Sequence, residues 1–435
     1  MTDTARVILW GRDIGAVTWL ADRGIGVFQY TPEFARSGIQ VAPLMMPLTE
    51  APYEFPSLSR ETFKGLPGLL ADSLPDKFGS TLINAWLSRR GRDPGSFTPV
   101  ERLCYTGMRG MGALEFKPLL NDAPSATRRI EIAALVDLAN RVLDDRIALE
   151  GKFTGGDDQH TIEDILRVGT SAGGARAKAV LAWSPATGEF RSGQAPAAGG
   201  FEQWLVKFDG VHGNRDKEVA DPQGFGRIEY AYSLMAREAG IDMEACRLHE
   251  EGGRAHFMTR RFDRSATGQK LHMQSLGALM HYDFNIAGGY AYEQALQAIR
   301  RLDLPMADIE QQARRAFFNV VARNQDDHVK NIAFLMDRKG LWRLAPAFDM
   351  AYAYNPSGAW TGQHQMSLNA KRDAFEVEDL IAFAGSGGLK RLKARSVLSE
   401  VSSAVRRWRS FANEAGVADA DTARIERAHR RDLFA

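Results

Sequence analysis

The chain has 435 residues, 44% hydrophobic and 25% charged, which is the composition of a folded globular protein and not of a disordered or fibrous one. That length exceeds what one hydrophobic core usually serves, so two or three domains, or two lobes around a cleft, are expected. With 55 Lys and Arg against 54 Asp and Glu, no global positive field points to nucleic acid or an anionic membrane as the main partner.

In chain order, the first 35 residues alternate short β-like runs with turn signals. Val7 to Trp10 is followed by Gly11-Arg12-Asp13, and Gly26 to Tyr30 by Thr31-Pro32. From Gly68 to Arg90 the spacing becomes helical, with Leu69, Leu70, Leu74, Phe78, Leu82, Ile83 and Trp86 recurring at three or four residues despite Pro75. A mixed first domain ending near residue 125 follows. Residues 127–150 and 161–167 read as helices leading into a glycine-bearing loop from Gly169 to Lys178. Two β-like runs follow, Ala179 to Trp183 and Trp204 to Phe208, then a helix from about Gly226 to Gly240. A third run, Ala255 to Thr259, precedes Arg261-Phe262-Asp263-Arg264. Residues 275–324 read as helical, and a hairpin of Ile332–Met336 and Leu341–Leu344 delivers the chain to Asp349. The remainder, rich in Ala, Leu, Arg and Glu, reads as helical.

No apolar run is long enough to cross a bilayer, and the Met1-Thr2-Asp3 start lacks a basic and apolar signal, so a cytoplasmic location without a membrane partner is expected. Cys104 and Cys246 are too few for a disulfide framework, lack metal-ligand spacing, and read as buried thiols.

Phosphoryl transfer needs a carboxylate near the attacking hydroxyl, oxygen ligands for Mg²⁺, and a cation with backbone amides on the phosphates. Asp326 and Asn331 stand five residues apart, the spacing of a kinase catalytic loop, and Asp349 follows the hairpin as a second metal-binding Asp would. Taken alone, the pair also fits a solvated turn with a capping Asp. Asp327 and His328 offer a metallohydrolase alternative, but no second His cluster accompanies them. Lys330 either steadies phosphate charge or faces solvent. Lys207 ends an apolar strand, as the ATP-gripping lysine of kinases does, and Glu229 on the next helix either pairs with it or is simply exposed. Small residues in the loop, Gly173 and Gly174 among them, would let backbone N–H groups approach phosphates.

These residues resemble the HipA-like toxin kinases. The resemblance rests on Leu9 to Gly15, Gly68 to Asp76 and Gly112 to Phe116 in the first domain. In the kinase part it rests on Ser171 to Lys178, Trp204 to Lys207, Arg261 to Arg264, Asn324 to Asn331 and Ala347 to Asp349. It implies an α+β, bilobal protein-kinase-like fold, distantly similar to phosphatidylinositol kinases. Its parts would be an N-terminal subdomain (1–125), a kinase N-lobe (126–265) and a helical C-lobe (266–435). It implies that Asp326 is the catalytic base, that Asn331 and Asp349 bind Mg²⁺, and that Lys207 contacts the ATP phosphates. Arg260 and Phe262 would lie at the inter-lobe hinge and offer backbone groups to adenine.

The family's loop serine, autophosphorylated to switch the kinase off, corresponds to Ser171, with Thr170 as the adjacent acceptor; Arg176 departs from the family's loop pattern. A phosphate there would place nearly two negative charges where those of ATP belong. The resemblance further implies a helix-turn-helix antitoxin of HipB type, operator DNA bound mainly through it, and a protein substrate such as an aminoacyl-tRNA synthetase. The alternatives are a lipid kinase, against which the lack of a polybasic segment speaks, and a catalytically idle corepressor module.

Overall fold

A computed structural model describes residues 3–89, 91–118, 132, 176–193, 200–211, 224–265 and 267–434. The helices expected at 127–150 and 161–167, and most of the glycine-bearing loop, lie outside those residues. The chain divides into two compact units: Met1–Gln223 with His249–Met273 and Met336–Leu341, and Gly224–Leu248 with Gln274–Leu335 and Trp342–Ala435. Both mix helix and strand, as an α+β protein should.

The first unit opens with an antiparallel sheet of four strands, β1 (Thr4–Leu9), β2 (Arg12–Leu20), β3 (Ile25–Tyr30) and β4 (Leu114–Pro118), in the order β3-β2-β1-β4. Alternation buries Val7, Leu9, Val17, Phe28 and Phe116. The first turn lies one residue earlier than the Gly11-Arg12-Asp13 signal suggests. Leu9 pairs directly with Arg12, and Trp10 and Gly11 both take positive φ, 50° and 81°, as a two-residue hairpin turn matching the strand twist requires. A tryptophan there is unusual, and its indole N–H is anchored on the Lys270 carbonyl at 2.7 Å.

The helical stretch expected from Gly68 to Arg90 is broken in two, Gly68–Ala71 and Lys77–Arg89. Pro75 lacks an N–H and stops the first piece. Asp76 then starts the second, its Oδ1 accepting from Gly79 N at 2.6 Å. Cys104 and Cys246 are free thiols but half-buried, not buried.

A five-stranded sheet follows: β5 (Lys178–Trp183), β6 (Phe190–Ser192), β7 (Glu202–Lys207), β8 (Cys246–Glu251) and β9 (Arg254–Arg260), in the order β6-β5-β7-β9-β8. The residues just after β9 tie back to the first subdomain through Asp263, which is fully buried. Its carboxylate accepts from Gly112 N at 2.6 Å, from Arg261 Nε and Nη2 at 2.8 and 2.6 Å, and from Arg264 Nη1 at 2.8 Å. Burial alone would raise its proton affinity, but Arg261 and Arg264 outweigh that and hold it far below the usual carboxylate range.

The second unit carries the helices Phe225–Glu238, Tyr292–Arg301, Met306–Val321, Val377–Ser386, Arg391–Arg406, Trp408–Ala415 and Asp419–Ala428. Their apolar faces close over Tyr232, Phe318 and Trp408. The region 275–324 is less uniformly helical than its pattern suggests: β11 (Tyr290–Ala291), which pairs in parallel with β14 (Met366–Ser367), precedes its main helices. A three-stranded sheet in the order β10-β12-β13 joins β10 (His272–Ser275), β12 (Ala333–Met336) and β13 (Trp342–Leu344). Its β12–β13 turn closes at Gly340, φ 83°. Among the described residues, no helix is long and apolar enough to cross a membrane.

Four histidines, three of them buried and His281 half-buried, set a pH limit on this fold. Burial pushes His256, His272 and His281 down to about 4 and His429 to about 3. Above pH about 6.5 neither the folded nor the unfolded state protonates them. Between about 6.5 and 4 only the unfolded chain takes up protons, so stability falls as pH falls. The expected loss is about 2 kcal/mol per histidine at pH 5. Urea midpoints at pH 7 and 5 check this, and equal midpoints would contradict it.

Candidate active site

The helix Met306–Val321 ends where Arg323 reverses the chain at φ 58°, its guanidinium bonded to the Ala428 carbonyl and lying 4.3 Å from the Tyr354 ring. Asn324 to His328 then run without regular structure into a 3₁₀ turn, Val329–Asn331, that feeds β12. Asn331 Nδ2 donates to the Asp326 carbonyl at 2.8 Å. The five-residue spacing is therefore that of a closed turn, with the amide NH₂ turned into the loop. The Asp326 side chain is 39% exposed. Its Oδ1 accepts from Trp360 Nε1 at 2.7 Å, while His328 Nε2 stands 3.9 Å from the same oxygen, beyond hydrogen-bond length.

Asn331 and Asp349 line one small cavity, together with Asp327, His328 and Asn319. Asp349 sits at φ 53°, a left-handed conformation that costs about 1–2 kcal/mol for a side chain with a Cβ and that Asp tolerates better than most. The side-chain oxygens of Asn331 and Asp349 are hard donors of the kind Mg²⁺ takes, one or two protein ligands beside phosphate oxygens.

Asp327, next to the exposed Asp326, is wholly buried and saturated. Its Oδ2 accepts from Tyr292 OH at 2.7 Å and His364 Nδ1 at 2.6 Å, and its Oδ1 from Gln365 N at 2.7 Å. Burial raises its proton affinity, but His364 and the other donors more than offset this and keep the carboxyl below its usual range. Arg430 Nη1 lies 3.1 Å from His364 Nε2. A guanidinium can only donate, so Nε2 accepts and Nδ1 carries the proton. Asp327 is thus engaged as a structural ion, which speaks against its use as the metal ligand of a metallohydrolase. From Tyr292 the hydrogen bonds continue: Asn319 Nδ2 donates to Tyr292 OH at 2.8 Å, and Asn324 Nδ2 to Asn319 Oδ1 at 2.9 Å and to the Asp349 carbonyl at 3.3 Å. Lys330 holds its ammonium 5.1 Å from the Phe284 ring. Glu229 is buried on its helix and not exposed.

In the first unit, Lys178, Lys207 and Phe257 are direct partners across β5, β7 and β9. Residues directly opposite in antiparallel strands share a face, so this face carries two ammonium groups side by side. Lys178 is 3% exposed, with Asp76 Oδ2 3.7 Å from its Nζ. That carboxylate partly neutralises the pair, while Lys207 Nζ lies 5.8 Å from the Phe257 ring. Arg260 ends β9 exposed, opposite Trp204, and Phe262 is buried. Thr170, Ser171, Gly173 and Gly174 lie outside the described residues.

Trp360, Tyr292, Asn319, His364 and Arg430 hold the residues of the 324–331 loop, yet none stands at a motif spacing from Asp326. Only the fold brings them there. The sequence offers at most the run of polar residues from Thr361 to Gln365 as a hint.

Residues 170–408 match the HipA-like C-terminal domain and residues 5–117 the HipA N-terminal domain. The fold is similar to the toxin of the Shewanella oneidensis MR-1 HipA, HipB and operator DNA complex, with TM-score 0.68, 18% identity, and coverage of 99% of this chain and 96% of that one. A curated relative is Y4mE of Sinorhizobium fredii (strain NBRC 101917 / NGR234), whose name carries a provisional kinase assignment. It is 28% identical over 125 residues, 27% of this chain, and the matched stretch spans 30% of that relative's length.

Proposed function

The chain belongs to the HipA-like family, and from that premise we propose that it is a toxin-type protein serine/threonine kinase using ATP and Mg²⁺. The observation that supports this most is the closed Asp326–Asn331 turn whose Asn shares a cavity with Asp349. The substrate hydroxyl oxygen attacks the γ-phosphorus, the bond from that phosphorus to the β–γ bridging oxygen breaks, and ADP leaves. The hydroxyl proton passes to the Asp326 carboxylate. Asn331 and Asp349 would hold Mg²⁺, which neutralises charge on the phosphates when bound. Lys207 serves the phosphates as a point charge, with Lys330 as a second candidate, and Arg260 and Phe262 offer backbone groups to adenine. Gly173 and Gly174 belong to the phosphate loop, and Ser171 is the self-phosphorylation site that inhibits the enzyme.

The HipA similarity supports a helix-turn-helix antitoxin of HipB type, with operator DNA bound mainly through it. The substrate is a protein of translation such as an aminoacyl-tRNA synthetase. The deciding experiment incubates the protein, after its intact mass shows no phosphate, with Mg²⁺ and labelled ATP, followed by phosphosite mapping. Label on Ser171 is expected, and Ser171→Ala should remove most of it. A phosphate mapped elsewhere would defeat the self-inhibition assignment, and an unmodified, silent protein would favour the idle corepressor.

A further inference from the structure

We propose that Trp360 is the positioning residue for the Asp326 carboxylate: its indole N–H holds Oδ1, so that the other oxygen meets the incoming hydroxyl. The inference rests on the kinase reading. An aspartate on a half-exposed loop has two rotatable bonds, and a base whose carboxylate wanders loses its alignment with the reacting group. Here the 2.7 Å bond from Trp360 Nε1 fixes that rotation. The donor is well chosen chemically. Indole N–H donates and never accepts, so it favours the ionised carboxylate, the form that can take a proton, and does not itself compete for the proton of the hydroxyl.

Trp360 is itself held. It belongs to the segment that follows Asp349 and folds back along the catalytic loop. Gln325 Nε2 donates to the Thr361 carbonyl at 3.1 Å, His364 and Gln365 bind Asp327, and Gln325 N donates to the Ala353 carbonyl at 3.0 Å. Gln325, Asp326 and Asp327 are thus each gripped by residues 360–365. The grips on Gln325 and Asp327 are structural. The grip on Asp326 reaches the atoms that react.

The test is Trp360→Phe, which keeps an aromatic ring and removes the donor. Self-labelling at saturating ATP is expected to fall about 10- to 100-fold, with the half-saturating ATP concentration and the melting temperature unchanged. An unchanged rate would overturn the proposal, and a faster one would do so too, by showing that Trp360 obstructs the base. A second readout needs no turnover. The Trp360 indole ¹H–¹⁵N resonance, assigned by its loss in Trp360→Phe, should shift in Asp326→Ala. An unshifted indole ends this proposal alone, whereas a wild-type chain that never labels ends the kinase reading and this proposal with it.

Discussion

Asp326→Asn is expected to lower phosphoryl transfer by about 10²- to 10⁴-fold, the span that a positioned proton acceptor contributes. The amide keeps the shape of the side chain and can still accept from Trp360 through its oxygen, but it cannot take the hydroxyl proton. The fold should be unaffected, because Asp326 is bound to Asn331 through its main-chain carbonyl and its side chain is partly in solvent. The measurement is the rate of label transfer from ATP, with far-UV circular dichroism and a thermal melt on the same sample. A folded variant with full activity would remove Asp326 from the mechanism. Asp327→Asn makes the instructive contrast. It places an NH₂ among the donors of Tyr292, His364 and Gln365, so instability should precede any kinetic effect.

Asp263→Ala is expected to destabilise the first unit by about 3–5 kcal/mol, the usual consequence of removing one partner from a buried ion pair. Arg261 and Arg264 would remain beside each other without their shared carboxylate, and Gly112 N–H would lose its acceptor. Burial already lowers the Arg264 guanidinium to about 10, a sign of how poorly water reaches it. Set against a total of about 5–15 kcal/mol for a typical domain, such a loss takes a large part of the margin. The pH signature differs from that of the histidines. A carboxyl whose folded-state value lies below its unfolded value of about 4 stabilises fully above that pH and loses its contribution as pH falls towards the folded value. The variant should therefore lack the part of the acid sensitivity found below pH about 4. Urea melts of both proteins at pH 7 and pH 3.5 would decide this; a variant as stable as wild type at pH 7 would refute it.

Local features were the legible ones. The β-like runs of the opening domain, the strand ending at Lys207 and the hairpin before Asp349 each depend on neighbours a few residues away, and so does the five-residue spacing of Asp326 and Asn331. Pro75 shows the limit of pattern reading: the apolar spacing passes smoothly across it, while the missing N–H does not. At Trp10 the twist of the paired strands selects the turn position over the residue types that usually mark turns. Glu229 looked like a solvated helix residue because its burial is decided by what packs on that face, which spacing alone does not reveal. The support around Asp326 and Asp327 lay beyond reach for the same reason, since Tyr292, Trp360, His364 and Arg430 come from 34 to more than a hundred residues away along the chain. The α+β class and the family were legible because they are carried by several short motifs in order.

The hydrogen bonds running from Asn324 through Asn319 and Tyr292 to Asp327 have a direction: each donor points towards the carboxylate at the end. No member can be exchanged without leaving its neighbour a donor with nothing to bind, or an acceptor with nothing bound to it. Inheritance should therefore treat the four as a single character. Sequence drift would carry them together through a lineage or replace them together, while the exposed positions around them change one at a time.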